Sequence, residues 1–355
     1  MTGAPAAGAR VRRPVSSCTA VAGTNIALVK YWGKRDVLLN LPVTGSLSLT
    51  LAELGTRTTV AFDSGEPGKT DANENRTADV VTLDGAPADA RTAMRVSAVL
   101  DLVRARAGMN RSRARVATVN SVPTAAGLAS SASGFAALAL AASRAAGLDL
   151  EPGELSALAR RGSGSAARSI VGGFAEMRKG QRPDGADAVA VPLAAPAGFD
   201  VRLVVAITAE GTKAVSSTDG MERTTRTSPF WPAWVDAHDR DMREARAAVE
   251  AGDLARLGGA AEQSCLGLHA TALTAEPAII YWNAATVAVL HAVRALRAGG
   301  IGAYFTIDAG PHVKVLCAAA DAGVVDGALR AVPGVIRTLV ASPGPGARVV
   351  EETAS

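Results

Sequence analysis

Asp308 closes an apolar run, Tyr304-Phe305-Thr306-Ile307, and stands just before a Gly310-Pro311 turn. A carboxylate delivered by a buried strand and freed at a turn suits a general base, although an aspartate that only caps the turn gives the same pattern. The segment Asn25-Ile26-Ala27-Leu28-Val29-Lys30-Tyr31-Trp32-Gly33-Lys34-Arg35-Asp36 follows an apolar strand where the chain leaves the core. Lys30, Lys34 and Arg35 can neutralise an acidic ligand there. A solvated charge run is the plainer alternative, but Tyr31 and Trp32 among the charges are unexpected on an open surface.

Two small-residue loops add anion-binding potential. In the first, Gly127-Leu128-Ala129-Ser130-Ser131-Ala132-Ser133-Gly134 runs straight into an Ala-rich helix. Free backbone N–H groups at a helix start favour phosphate, and Ser130 and Ser131 add hydroxyls for phosphate or magnesium. The loop lacks the terminal GK[ST] of a Walker motif, and a tight strand-to-helix turn is the alternative. In the second, Gly162-Ser163-Gly164-Ser165 precedes Arg168, whose guanidinium offers a fork to carboxylate or phosphate; a surface loop is the alternative. Two such loops close together in one chain favour the phosphate reading. His238, His269, His291 and His312 show no ligand spacing, so no structural metal is expected, and no GxSxG pattern points to covalent hydrolysis.

The elements that must position these groups are legible in part. Residues 46–51 (SLSLTL) alternate as a half-buried strand, and 58–62 are expected to pair with them across Glu53-Leu54-Gly55. Residues 63–78 read as a solvated excursion, and 80–83 as a strand ended by an Asp84-Gly85 turn. The spacing of Met94, Ala98, Leu102 and Ala105 predicts an amphipathic helix over 91–107. A strand at 115–122 follows, then helices at 135–146 and 149–161. The second half reads as a strand at 201–207, long helices at 232–250, 254–270 and 278–298, strands at 303–307 and 313–317, a helix near 324–331 and a strand near 335–340.

Composition limits what such a chain can be. Its 355 residues are 48% hydrophobic and 4% aromatic, enough for two domains whose cores are built from Ala, Val, Leu and Ile. No apolar run of about eighteen residues suggests a membrane span, and residues 1–16 lack the apolar stretch of a signal peptide. The net charge of +4 is scattered and aromatics are few, which fits a pocket for an anionic metabolite or an ordinary soluble surface better than a nucleic-acid platform. Cys18, Cys265 and Cys317 form no CxxC pair, as in a reducing cytoplasm. The expected organisation is a tail at 1–16, domains at 17–195 and 196–345, and a second tail at 346–355.

The motifs NIALVKYWGKRD (25–36), PTAAGLASSASG (123–134), GSGSAARS (162–169) and TIDAGPHV (306–313) resemble the diphosphomevalonate decarboxylases of the GHMP kinase superfamily. The resemblance runs in order over nearly the whole chain. It implies an α+β fold with an N-terminal domain like ribosomal protein S5, a ferredoxin-like C-terminal domain and an active site between them. It also implies ATP with Mg2+, the conversion of 5-diphosphomevalonate to isopentenyl diphosphate, and a cytoplasmic homodimer. Carried over residue by residue, Asp308 matches the aspartate that orients or deprotonates the 3-hydroxyl. Lys30 matches a lysine beside the transferring phosphoryl group, and Arg168 a substrate-carboxylate ligand positioned by Asn25. Tyr31, Trp32, Gly33, Lys34, Arg91, Ser163, Gly164, Ser165, Ala166, Ala167 and Thr218 match the substrate surround. Gly127, Leu128, Ala129, Ser130, Ser131 and Ala132 match the cradle of the ATP phosphates, with Ser131 a candidate magnesium ligand. Thr44-Gly45, Thr218 and His312 depart from the family pattern. A decarboxylase of the monophosphate, a mevalonate-type kinase without decarboxylation and a non-catalytic ligand-binding regulator are the rival readings.

Overall fold

The computed structural model describes residues 10–11, 13–63, 78–109, 112–121, 130–211 and 213–354. The expected phosphate-cradling residues 127–129 and most of the excursion expected at 63–78 lie outside the described residues, as does the side chain of Ser130.

The first half is organised on two long strands. A short strand, β1 (Arg10–Val11), precedes β2 (Ser17–Val29); β3 (Lys34–Asp36) and β4 (Leu41–Pro42) form a small hairpin, and β5 (Ser46–Phe62) runs antiparallel to β2. The expected hairpin within 46–62 is therefore a single strand. Gly55 marks a bend, not a turn: a Cβ there would lie 2.6 Å from the Ala22 carbonyl oxygen, and one on Gly23 would lie 2.3 Å from that of Leu51. The two glycines let the strands approach where the register shifts between Gly23 and Asn25.

β6 (Val80–Leu83) and β7 (Ala86–Pro87) meet at Asp84 and Gly85, both left-handed with φ of 51° and 83°, as a two-residue hairpin demands. Helix α1 (Ala90–Ala107) is capped by Asp89, which accepts from the Thr92 N–H at 3.0 Å. Its buried stripe is Val96, Val99, Leu100 and Val103, while Met94 is 72% exposed, so the expected stripe through Met94 and Ala98 is the wrong face. Both stripes have helical spacing, but the Val/Leu one buries more apolar surface. The face thus left uncovered carries Arg91 and Arg95.

β8 (Ala114–Asn120) pairs with β5 and leads toward α2 (Ser130–Ala145), whose Ala136, Ala137, Ala139, Ala141 and Ala142 are fully buried on the sheet. β9 (Leu148–Asp149) pairs with β1, so part of the expected N-terminal tail is tied down. Then come α3 (Pro152–Gly162), the four-residue α4 (Ala166–Ser169) inside the expected Gly/Ser loop, β10 (Phe174–Met177) and β11 (Ala190–Pro192).

The second half is β12 (Val201–Ile207), α5 (Ser217–Thr227), α6 (Trp231–Ala251), α7 (Leu254–Leu273), α8 (Ala284–Ala298), β13 (Ala303–Ile307), β14 (Val313–Ala318), α9 (Ala322–Arg330) and β15 (Arg337–Ala341). Its sheet order, β13-β14-β12-β15, is fully antiparallel and ferredoxin-like. Helix α8 starts six residues later than the periodicity predicts because Asn283 caps it, accepting from the Thr286 N–H at 2.8 Å.

The expected C-terminal tail is also corrected. β16 (Arg348–Thr353) crosses back to pair with β2, and the Ser16 hydroxyl donates to the Thr353 carbonyl at 2.9 Å. Satisfying the free edge of β2 is the physical reason. Between the halves, Ile26, Leu28, Leu47 and Leu49 share one core with Leu203, Val205, Met242 and Leu257. That shared core fixes the seam along which the cleft opens. Among the described residues no helix is long and apolar enough to cross a membrane.

Candidate active site

A cleft of about 700 Å³ lies at the seam, lined from the first half by the end of β2, α1, the α3–α4 loop and the start of α2, and from the second half by the segment after β13 and the start of α5. Asn25, Lys30, Tyr31, Trp32, Lys34, Arg91, Ser131, Ser163, Gly164, Ser165, Arg168, Thr218 and Asp308 all line it. Among the expected site residues, Gly33, Ala166, Ala167 and Ala132 do not. Gly33 turns the chain with φ of 99° under Trp231, where a Cβ would lie 2.4 Å from the indole. Ala166, Ala167 and Ala132 are fully buried and serve packing.

Asp308 is the centre. Strand β13 delivers it to the cleft, where its side chain is 35% exposed. The Lys30 ammonium donates to Oδ1 at 2.7 Å and to the Ala27 carbonyl at 2.8 Å, while the Lys30 backbone N–H donates to the Ser264 hydroxyl. Lys30 is 1% exposed, so it is no solvated charge. The Lys314 ammonium stands 3.0 Å from Oδ2. Burial pushes the Asp308 carboxyl up, but Lys30 and Lys314 outweigh it and hold the group far below the usual carboxylate range.

Arg168 is the second feature. It is 2% exposed, and among the described residues no carboxylate pairs with it. Neutral groups orient it: its Nε donates to Asn25 Oδ1 at 3.2 Å and its Nη1 to the Ser46 hydroxyl at 2.5 Å. Asn25 is fixed in turn by donating to the Ser165 carbonyl at 2.9 Å and the Ser169 hydroxyl at 2.8 Å. Burial pushes the guanidinium down to about 10, with the Asp308 charge opposing. A buried cation held without an anion is costly unless a ligand supplies one. Arg160 is different: its donors are taken by the carbonyls of Leu39, Gly185 and Ala188.

The far end of the cleft gathers Lys34, Arg91, Arg95 and Arg161, with one carboxylate beside them among the described residues, Asp89, which is engaged in capping α1. Burial and then the Arg95 charge push the Lys34 pKa down. Arg95 is lowered by burial and by Arg91, with Asp89 opposing. Crowded cations of this kind suit a multiply charged anion. Gly164 sits directly against Tyr31, where a Cβ would lie 2.4 Å from the phenol oxygen.

Sequence reasoning missed Lys314, Arg95, Arg161 and Lys213 at this cleft or its centre. A lysine inside the apolar run Val313-Lys314-Val315-Leu316-Cys317, and arginines one helical turn apart at 91 and 95, were the available signals. The departures from the family pattern are accounted for locally. His312 Nδ1 accepts from the Thr208 N–H at 3.2 Å, and the Gly45 carbonyl pairs with His238 Nε2 at 2.9 Å. Thr218 is exposed at the cleft mouth.

A ferredoxin-like half joined to a larger mixed sheet, with a basic cleft and a helix N-terminus between them, defines the GHMP kinase fold. Within it, residues 22–190 match the diphosphomevalonate decarboxylase-like N-terminal domain and residues 203–336 the mevalonate 5-diphosphate decarboxylase C-terminal domain. The chain belongs to the diphosphomevalonate decarboxylase family. It is 36% identical over 340 residues to the diphosphomevalonate decarboxylase of Aspergillus fumigatus, covering 91% of this chain and 82% of that one. It superposes on the mevalonate diphosphate decarboxylase of Staphylococcus aureus with a TM-score of 0.87 at 38% identity, over 95% of this chain and 98% of that one. A solved structure described as MDDEF in complex with MVAPP, AMPPCP and magnesium gives a TM-score of 0.84 at 40% identity, over 95% and 99%.

Proposed function

We propose that this cleft carries out the ATP-dependent decarboxylation of (R)-5-diphosphomevalonate, releasing isopentenyl diphosphate, ADP, phosphate and carbon dioxide. The observation that carries the reading is the pairing, in one cleft, of a lysine-held carboxylate at Asp308 with the buried guanidinium of Arg168, which no carboxylate pairs with among the described residues. The first suits phosphoryl transfer to a hydroxyl, and the second suits a substrate carboxylate.

The substrate lies with its diphosphate against Lys34, Arg91, Arg95 and Arg161, its carboxylate on Arg168 and its 3-hydroxyl on Asp308. Asp308 accepts the hydroxyl's hydrogen bond and takes its proton as the new O–P bond forms. Lys30, on the same carboxylate, offsets charge on the transferring phosphoryl group. Phosphate then leaves C3 as the C–CO2 bond breaks and its electron pair becomes the double bond. Arg168 holds the carboxylate in the geometry for that cleavage, with Asn25 fixing the guanidinium.

ATP fits the end of the cleft where Ser131 lies in the first turn of α2, whose dipole favours phosphate. Among the described residues no group of three or more His, Cys, Asp or Glu could hold a metal, so the residues present fit a magnesium ion carried mainly by phosphate oxygens, with the Ser131 hydroxyl as a candidate ligand. Such an ion supplies charge neutralisation to the triphosphate. The three cysteines are free and buried, which fits a cytoplasmic setting, and we place the protein there as a homodimer.

The test is product analysis with ATP, magnesium and either 5-phosphomevalonate or 5-diphosphomevalonate. Equal release of ADP and carbon dioxide, with the diphosphate preferred, is expected. ADP without carbon dioxide would make the protein a kinase, and preference for the monophosphate would move the substrate.

A further inference from the structure

Asp308 receives a lysine on each carboxylate oxygen, and the two lysines come from opposite halves of the molecule. Lys30 follows β2 in the first half; Lys314 lies on β14 in the second, paired in register with Thr306 of β13. Its strand neighbours Val313 and Val315 point into the second sheet's core, so alternation places Lys314 on the face that meets Asp308. Lys314 is 4% exposed. Apart from Asp308, its ammonium has one long hydrogen bond among the described residues, to the His312 carbonyl at 3.4 Å.

A lysine here is a costly choice for a strand interior, since desolvating the ammonium must be offset, and Asp308 is what offsets it. Lys30 already neutralises Asp308, so folding alone does not require a second cation. What the second one adds is geometry and charge. A carboxylate held on one oxygen can turn about its terminal torsion, which is broad and soft. Held on both, its plane is fixed. Two ammonium groups on one carboxylate also leave net positive charge beside the phosphoryl acceptor.

We propose that Lys314 is a positioning residue for the transfer step, holding Asp308 Oδ2 so that the carboxylate presents a fixed face to the substrate hydroxyl. The inference rests on the role given to Asp308 above. Lys314 acts through Asp308 and has no need to touch substrate, so its loss is read in turnover and not in binding.

The experiment compares full-length wild type, Lys314→Met, Lys314→Arg and Asp308→Asn by steady-state kinetics and thermal melting. Lys314→Met is expected to lower kcat by about ten- to a hundredfold, in the range of a lost electrostatic contact, with both KM values within about threefold. Lys314→Arg, which keeps the charge, recovers part of that turnover. A folded Lys314→Met enzyme with wild-type kcat, a loss confined to KM, or no recovery with Arg overturns the proposal. Should Met not fold, Lys314→Gln is read in its place, and failure of both to fold assigns Lys314 to structure alone and overturns the proposal. Asp308→Asn separates the two layers. If it keeps wild-type turnover, the role of Asp308 itself fails; if it is inactive while folded Lys314→Met is unimpaired, only the positioning role fails.

Discussion

Arg168 Nε donates to Asn25 Oδ1 at 3.2 Å, and that bond links the α4 turn to strand β2 across the floor of the cleft. Asn25 has all its polar capacity toward this region engaged, so it behaves as a bracket for the guanidinium. Asn25→Leu keeps the volume and removes the bracket. It leaves a buried donor unpaired, costing about 1–3 kcal/mol. Turnover should fall roughly ten- to a hundredfold through misplacement of the Arg168 fork proposed to hold the substrate carboxylate. Steady-state kinetics checks this, and a kcat equal to wild type would remove Asn25 from the positioning role.

Asp308→Asn tests the centre directly. The amide keeps the shape but loses the charge that pairs with Lys30 and the capacity to take a proton. Turnover should drop by at least about a thousandfold, while ATP binding, measured by calorimetry or fluorescent-nucleotide displacement, stays within a few-fold. Lost nucleotide binding would instead mean that Asp308 organises the cleft as a whole.

Gly164 is required by Tyr31. A Cβ at 164 would stand 2.4 Å from the phenol oxygen and 2.7 Å from Cζ, and both residues line the cleft. Gly164→Ala must push Tyr31 aside, at an overpacking cost of about 1–3 kcal/mol. We expect the KM for the phosphorylated substrate to rise by roughly tenfold, with a smaller change for ATP. Unchanged kinetics would show that Tyr31 relaxes freely and does not shape the site.

How much of this was legible depended on where each signal lives. Strands β12, β13 and β14 were readable because buried strands are continuous apolar runs, and Asp308 was readable because a carboxylate ends one of them. The stripe of α1 was misread because two faces share helical spacing, and only tertiary packing decides between Val99 and Met94. The bend in β5 was misread because Gly55 serves strand approach as well as a turn. β16 was invisible because its partner in β2 lies at the other end of the chain. The residues around Lys30 fit an acidic-ligand contact and a solvated charge run equally well, and it is the 1% exposure of Lys30 and its bond to Asp308, a residue 278 positions away, that exclude the solvated run. Long-range pairing of this kind leaves no local pattern.

His238 predicts an acid sensitivity separate from catalysis. Its ring is 1% exposed on α6, bonds the Gly45 carbonyl through Nε2, and has Nδ1 buried without a hydrogen-bond partner among the described residues. Burial pushes its pKa down to about 4, and burial together with the Lys30 charge pushes His269 down to about 3. A histidine depressed in the folded state binds fewer protons there than when unfolded. Its contribution to stability is therefore full above the unfolded value, about 6.5, and is lost as pH falls toward the folded one. For His238 the loss between about pH 6.5 and 4 is on the order of 3 kcal/mol. Urea midpoints should drop steadily over that window. His238→Gln retains a donor for the Gly45 carbonyl but cannot titrate, so its midpoint should fall less steeply; equal slopes for the two proteins would assign the acid sensitivity to other groups.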